Sequence, residues 1–293
     1  MSKVAIVKSK GHYHGVKEVL ELLKEEIKEK IRGRKRIVIK PNFVSTTIAL
    51  SATHVEAVKA LLDFISNYTS SKIIIAEGPA SAKIEEGLRN YDYYNKLKEY
   101  DVEYVDLNED DYIKVKVWNS NLEKKLEVRI AKTIVNSDFR ISICRPKTHD
   151  TVIVTLTIKN IAVGSLINHD KSKIHKGYKA INLTIAELTK LVKPHLSIID
   201  GYIGMQGNGP VSGEKILSKF AVAGLDPVAV DAVTAKLMGF NPLEIGYLYY
   251  LDKWGEGIAN IDKIEIIGDK IEDLSIKFKP HRTYLSQKNW KIE

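Results

Sequence analysis

Short apolar runs rich in β-branched residues alternate with stretches whose apolar residues recur every three or four positions. That alternation constrains this chain more than anything else in it. Lys3–Lys8 (KVAIVK) reads as a strand, and Val16, Val19, Leu20, Leu23, Ile27 and Ile31 then recur at helical spacing. Arg36–Lys40 (RIVIK) and Lys72–Ala76 (KIIIA) are further strands, with Val55, Val58, Leu61, Leu62 and Ile65 on one helical face between them. Thr53 and Glu56 have the spacing of a capping box for that helix. Ile84–Lys98 reads as a helix and Glu103–Leu107 as a strand. Strands and helices in alternation favour an α/β fold, a mostly parallel sheet with helices on both faces, whose right-handed crossovers bring the strand C-termini to one rim.

The rhythm then breaks. Tyr112–Trp118 and Leu122–Ile130 alternate apolar and polar residues around Asn119-Ser120-Asn121, the pattern of a β-hairpin inserted near 112–130. Phe139–Cys144 (FRISIC) is a buried strand stopped by Pro146, and Thr151–Val163 suits either a helix or a strand. Asn168–Gly177 is polar and reads as a loop, and Asn182–Val192 as a helix with Asn182 at its N-cap. Leu196–Ile199 and Ile216–Ala223 read as strands on either side of a glycine-rich loop, Asp200–Gly213. Asp226-Pro227 opens a helix to Met238, with Asp at the N-cap and Pro in the first turn. Lys263–Ile267 is a late strand in a C-terminal strand and tail at 260–293. No repeat or clean linker divides the chain, so one α/β domain over 1–293 is expected.

Composition narrows the function classes. An apolar fraction of 44% is too high for a disordered chain. The single cysteine, Cys144, excludes an internal disulfide and any iron–sulfur cluster ligated by this chain alone. The opening MSKVAIVKSK is too short and polar for a signal peptide, and no apolar run nears the ~20 residues that span a bilayer, so a cytoplasmic protein off the membrane is expected. Lys and Arg outnumber Asp and Glu, 45 to 37, which suits an anionic partner. Abundant Lys, Ile and Glu beside two Gln point to a thermophilic source.

Four predicted strands run into polar residues: Lys40-Pro41-Asn42, Glu77-Gly78, Lys147-Thr148-His149 and Asp200-Gly201. Singly, charged residues at strand ends simply meet water. Together, on the rim of a parallel sheet, they predict one ligand crevice. His149, His175, Glu77 and Asp200 are its candidate acid–base groups. Lys40, Asn42, Lys147, Lys159, Asn160, Gly207, Asn208 and Gly209 are its candidate ligand-binding residues. The glycines would let consecutive N–H groups cradle an anion, although the loop is neither a dinucleotide fingerprint nor a Walker loop. Lys159-Asn160 stands out because it interrupts an apolar run. A divalent metal is a further expectation, with Glu77, His149, His169, His175, Asp200 and Asp231 as candidate ligands; the H-x₅-H spacing of His169 and His175 matches no zinc signature.

These motifs have a familiar order. Lys40-Pro41-Asn42, Thr53-His54, Glu77-Gly78, Lys147-Thr148-His149, Lys159-Asn160 with Gly164, His175, Asp200-Gly201, Gly207-Asn208-Gly209-Pro210 and Asp226-Pro227-Val228-Ala229-Val230-Asp231 resemble the domain of unknown function 362 family. The resemblance spans about residues 3–245 and implies a cytoplasmic α/β protein of a kind widespread in archaea and bacteria. Many such relatives look like iron–sulfur proteins through an attached ferredoxin-type segment, which this sequence lacks.

Three functions are in view. The first is an enzyme acting on a small phosphate- or carboxylate-bearing molecule, with acid–base or metal-assisted chemistry at the sheet rim. The second is a cofactor-dependent redox or isomerase enzyme served by a separate iron–sulfur electron-transfer protein. The third, nucleic-acid binding, has only the net charge of +8 in its favour, because the basic residues are not interleaved with aromatics. Cofactor, reaction class and oligomeric state are left open by the sequence.

Overall fold

A computed structural model of the protein describes residues 2–80 and 82–292. In chain order its strands are β1 (Ser2–Lys8), β2 (Ile37–Lys40), β3 (Ile73–Glu77), β4 (Val102–Asp106), β5 (Tyr112–Trp118), β6 (Lys125–Ala131), β7 (Phe139–Cys144), β8 (Lys147–Thr148), β9 (Val154–Thr155), β10 (Leu196–Gly201), β11 (Gly204–Gln206), β12 (Glu214–Ile216), β13 (Phe220–Gly224) and β14 (Ile264–Gly268). Eight of them form the central sheet in the order β14-β1-β13-β10-β7-β2-β3-β4. β10, β7, β2, β3 and β4 pair in parallel, as do β14 and β1, while β13 is antiparallel to both of its neighbours. The reversal has a simple origin. The chain passes from β10 to β13 without a helix, and a connection lacking a crossover returns antiparallel.

The strand residues alternate between two cores. Ile37, Ile39, Ile141 and Ile143 face the layer of helices His12–Leu22 and Val55–Ile65, whereas Val38, Cys144 and Ile199 face the opposite layer. That second layer holds the helices Thr157–Gly164, Tyr178–Val192, Pro227–Leu237 and Gly246–Lys253. Period-two alternation between two apolar faces is why these strands read as near-continuous apolar runs. β5 and β6 form a separate two-stranded sheet, the expected hairpin insertion.

Several local expectations are corrected. The helix Val55–Ile65 is capped by His54, whose Nδ1 accepts the Glu56 N–H at 3.2 Å. Thr53 is unavailable as a cap, because its hydroxyl accepts the Asn42 N–H at 2.8 Å and donates to the Ile143 carbonyl at 3.0 Å. The helix read at Ile84–Lys98 is two short helices, Ile84–Asn90 and Tyr93–Lys96, broken where Asp92 takes a left-handed conformation (φ 63°). Thr151–Val163 is both alternatives in succession, β9 and then the helix from Thr157. The loop Asn168–Gly177 contains a short helix, Asp170–Ile174. Asn182 lies inside the helix Tyr178–Val192, where it donates to the Tyr178 carbonyl and accepts the Tyr247 N–H. The glycine-rich stretch includes β11, and Ile216–Ala223 divides into β12 and β13. Asp226 caps its helix as expected, accepting the Val228 and Ala229 N–H groups.

Candidate functional site

The site grows from the C-terminal ends of β2, β3 and β7 and from one helix laid across them. That helix, Thr157–Gly164, has no cap of its own. Asp231, fully buried on the neighbouring helix, supplies one: its carboxylate accepts the Thr157 N–H (2.9 Å), the Thr157 hydroxyl (2.5 Å) and the Ile158 N–H (3.0 Å). Three donors would favour the ionised carboxylate, but burial wins and pushes the Asp231 carboxyl up to about 7. Asp231 is therefore the anchor that sets the helix, and with it Lys159 and Asn160, over the rim.

Beneath the helix lies a closed polar network. Lys40 is wholly buried, and its ammonium donates to Glu77 Oε2, to Asn160 Oδ1 at 3.1 Å and to the Pro41 carbonyl at 3.2 Å. Asn160 donates in turn to the Lys40 carbonyl (3.1 Å) and to Ser142 Oγ (3.0 Å), and accepts from Asn42 Nδ2 at 3.1 Å. Lys147, also wholly buried, donates to Asn42 Oδ1 and to the Ser51 carbonyl at 2.5 Å. Glu77 is thus paired with Lys40, and Lys147 is met by an amide and a backbone carbonyl. A buried charge persists only when its hydrogen bonds are met, and both Asn side chains here serve to meet them. Burial pushes the Lys147 ammonium down to about 7.

Above this floor opens a cavity of about 140 Å³. Its walls include Asn42, Phe43, Glu77, Gly78, Thr155, Lys159, Asn160, Lys171, His149, His175 and Pro210. Lys159 is buried, makes no hydrogen bond or ion pair among the described residues, and is held down to about 8 by burial. Thr155 Oγ1, also buried, has no hydrogen-bond partner among the described residues. Lys171 donates to Asn108 Oδ1 at 2.7 Å and is likewise pushed to about 8 by burial.

The two histidines, with ring centroids 5.9 Å apart, are held differently. His149 Nδ1 lies 3.0 Å from the Thr151 nitrogen and 3.0 Å from Asp150 Oδ1; the backbone N–H can only donate, so in the neutral ring Nδ1 accepts it and Nε2 carries the proton. His175 Nδ1 faces the Lys171 carbonyl at 2.6 Å and must donate to it, which leaves Nε2 as an acceptor. Burial first, and the nearby Lys159 cation second, push His149 down to about 3 and His175 down to about 4. Both rings are therefore neutral at pH 7, in opposite tautomers: one offers a proton at Nε2 and the other a lone pair. The position of His149 is also set from the far end of the chain, where Gln287 Nε2 donates to its carbonyl at 2.8 Å and Gln287 Oε1 accepts the Ile153 N–H.

Other sequence candidates stand elsewhere. Asp200, 1% exposed, faces His12 Nδ1 at 2.6 Å and does not line the cavity. His169 lies in a separate cleft with Lys83, Asp106 and Asn108. Gly207, Asn208 and Gly209 do not form an anion cradle: the Gly207 N–H donates to the Lys279 carbonyl, the Gly209 N–H to the Gly207 carbonyl, and Asn208 is exposed. From that loop Pro210 reaches the cavity wall. Among the described residues no three His, Cys, Asp or Glu side chains are grouped to hold a metal ion. The six metal candidates do not fit one, because Glu77 is committed to Lys40, Asp231 to a helix end, Asp200 to His12 and His169 to another cleft. Cys144 is fully buried and its thiol is pushed well up by burial. Thr155 and Gln287 carry no motif that would single them out in the sequence.

Comparison with known proteins agrees with this architecture. Residues 37–236 match a family model described as Domain of unknown function (DUF362). A thylakoid-associated protein of Synechocystis is 23% identical over 216 residues, 72% of this chain and 65% of that protein, so the chain spans just under two thirds of that relative. The lactate racemase apoprotein of Thermoanaerobacterium thermosaccharolyticum has a similar fold, with a TM-score of 0.51 at 16% identity over 77% of this chain and 54% of the other. No helix among the described residues is long and apolar enough to cross a membrane.

Proposed function

The chain belongs to the DUF362 family, whose name carries no reaction, and from the geometry of its cavity we propose that it is an enzyme moving a proton on a small carboxylate- or phosphate-bearing substrate. Lys159 holds the anionic group, with Lys171 adding positive field. His175 Nε2 takes a proton from the substrate and the imidazolium so formed returns it, while the Nε2–H of His149 donates a hydrogen bond to the substrate oxygen on which charge develops. Thr155 Oγ1 donates to or accepts from a substrate oxygen. Lys40, Glu77, Asn160, Asn42 and Lys147 form the floor and orient the groups above them.

The observation that carries this reading is the pair of neutral imidazoles in opposite tautomers beside a lysine that has no partner among the described residues. General acid–base catalysis needs one donor and one acceptor within reach of the same substrate, and the two Nδ1 contacts establish that difference before anything binds. The excess of lysine over carboxylate around the cavity favours an anion. Lys159 is buried and Lys171 half-buried, an arrangement suited to a small molecule rather than a nucleic-acid backbone. The lactate racemase of similar fold acts, by its name, on a small carboxylate, the class favoured here.

Substrate C–H exchange in D₂O is the direct test. A panel of small carboxylates and phosphate esters is incubated with the protein and followed by proton NMR. At least one should gain deuterium, and His175→Gln and His149→Gln should each slow the exchange by about 10²-fold or more. No exchange with any of the panel, or exchange indifferent to both substitutions, removes the proposal.

A further inference from the structure

The β5–β6 hairpin stands outside the central sheet, and among the described residues none at 112–131 lines the cavity. It is tied to the site all the same. β6 runs along the segment that follows the helix Thr157–Gly164. The Ala131 N–H donates to the Ser165 carbonyl at 3.0 Å, Ile130 bridges Leu166 in antiparallel sense, and the Ile167 N–H donates to the Arg129 carbonyl at 3.1 Å. Arg129 then reaches Asp170, the first residue of the short helix Asp170–Ile174. Asp170 Oδ2 accepts both the Arg129 backbone N–H at 2.8 Å and the Arg129 Nε–H at 2.9 Å, and Lys173 Nζ lies 2.7 Å from Oδ1. The carboxylate is 1% exposed.

Five helical residues do not hold themselves together in water, because nucleation costs more than so few hydrogen bonds return. The helix Asp170–Ile174 is therefore placed by its anchors, and Asp170 is the one at its start. A main-chain N–H and a guanidinium donating to one carboxylate oxygen fix direction as well as distance. What the helix carries belongs to the cavity. Lys171, next to Asp170, donates from its ammonium to Asn108 Oδ1 and accepts at its carbonyl from His175 Nδ1 at 2.6 Å. Displacing Asp170 displaces that carbonyl, the acceptor that decides which nitrogen of His175 carries the proton.

We propose that Arg129 and Asp170 are positioning residues for the acid–base reaction, an inference that rests on the reading of the cavity given above. Through this pair the hairpin insertion sets the tautomer and direction of His175 and the reach of Lys171, without touching the substrate. The insertion is then a working part of the site.

Ring ¹⁵N NMR of the full chain at neutral pH tests this without any substrate, with the two cavity histidines assigned from His149→Gln and His175→Gln. In the unaltered protein His175 should report Nδ1–H and His149 Nε2–H. Arg129→Met keeps an aliphatic stem and the main-chain N–H, and Asp170→Asn keeps the shape and an acceptor. Each should let His175 populate both tautomers while His149 stays as it was. Each should also slow the deuterium exchange of the unaltered protein by about tenfold or more. General loosening of the fold would disturb both rings, so the contrast between them isolates positioning. The proposal is overturned if His175 keeps its Nδ1–H tautomer in a folded variant, if both histidines change together, or if existing exchange is not slowed. Loss of the native far-ultraviolet circular dichroism in both variants also overturns it, because the pair then holds the fold and not the site. If the unaltered protein exchanges no substrate proton but His175 alone responds, the pair still positions that ring, and only the reaction assigned to the cavity falls.

Discussion

At the scale of single residues, Lys159 decides the most. It is buried, without a partner among the described residues, and close enough to both cavity histidines to depress them. Lys159→Met should raise the pKa values of His149 and His175, seen in an NMR titration, while leaving them below the ordinary 6.5 because burial remains the larger cause. Anion affinity should fall as pH rises through about 8, where Lys159 loses its proton, and the variant should lack that step. The stability consequence has the opposite sense. With Lys159 near 8 in the folded chain and 10.5 as its ordinary value, the unfolded chain binds the extra proton between those limits. Its burial therefore costs stability below about 8, and stability rises as pH climbs from 8 toward 10.5. Urea unfolding at several pH values should show a smaller rise in Lys159→Met; Lys147 and Lys171, depressed in the same way, supply the remainder. Asp231→Ala tests the anchor. It strands three donors in a fully buried place and should cost about 2–5 kcal/mol in denaturant unfolding.

At the scale of elements, the helix Thr157–Gly164 is the piece on which the site turns. It approaches β2 so closely that a Cβ on Gly164 would lie 2.4 Å from Lys40 Nζ and 2.5 Å from its Cε. Lys40 cannot swing aside without leaving Glu77 and Asn160, so Gly164→Ala should destabilise the protein by about 1–3 kcal/mol and lower the melting temperature. The same element shows where sequence reading stops. Its β-branched start suits a strand or a helix, and nothing local reveals that a carboxylate 74 residues away takes the first N–H groups. Thr53 teaches the same lesson from the other side. Its spacing to Glu56 is that of a capping box, yet its hydroxyl is taken by the rim loop at Asn42 and by β7, and His54 caps instead. Asp226-Pro227, by contrast, was legible because cap and helix are one short segment.

At the scale of the whole molecule, stability should be graded from the centre of the sheet outward. β10, β7 and β2 sit inside, with their apolar residues buried in both cores, whereas β4 is an edge strand and β5 is largely exposed. Hydrogen exchange read by mass spectrometry should show the amides of β10 and β7 opening only with global unfolding, and those of β4 and the β5–β6 hairpin exchanging at least about tenfold faster. Equal protection across the sheet would contradict the layered arrangement.

Periodicity, turn residues and the strand-end polar groups determined from the sequence alone that this chain makes an α/β sheet with a polar rim, because those signals are local and each is complete within a few residues. The tertiary structure decided which rim residues share a cavity. Asn42, Glu77, His149, Lys159, Asn160 and His175 meet on one face of the sheet, and Asp200 turns to His12 on the other. That division depends on which face each helix covers and on which distant partner satisfies each buried charge. Such partners, Asp231 for a helix start and Gln287 for His149, are matched only when the whole chain has closed around them.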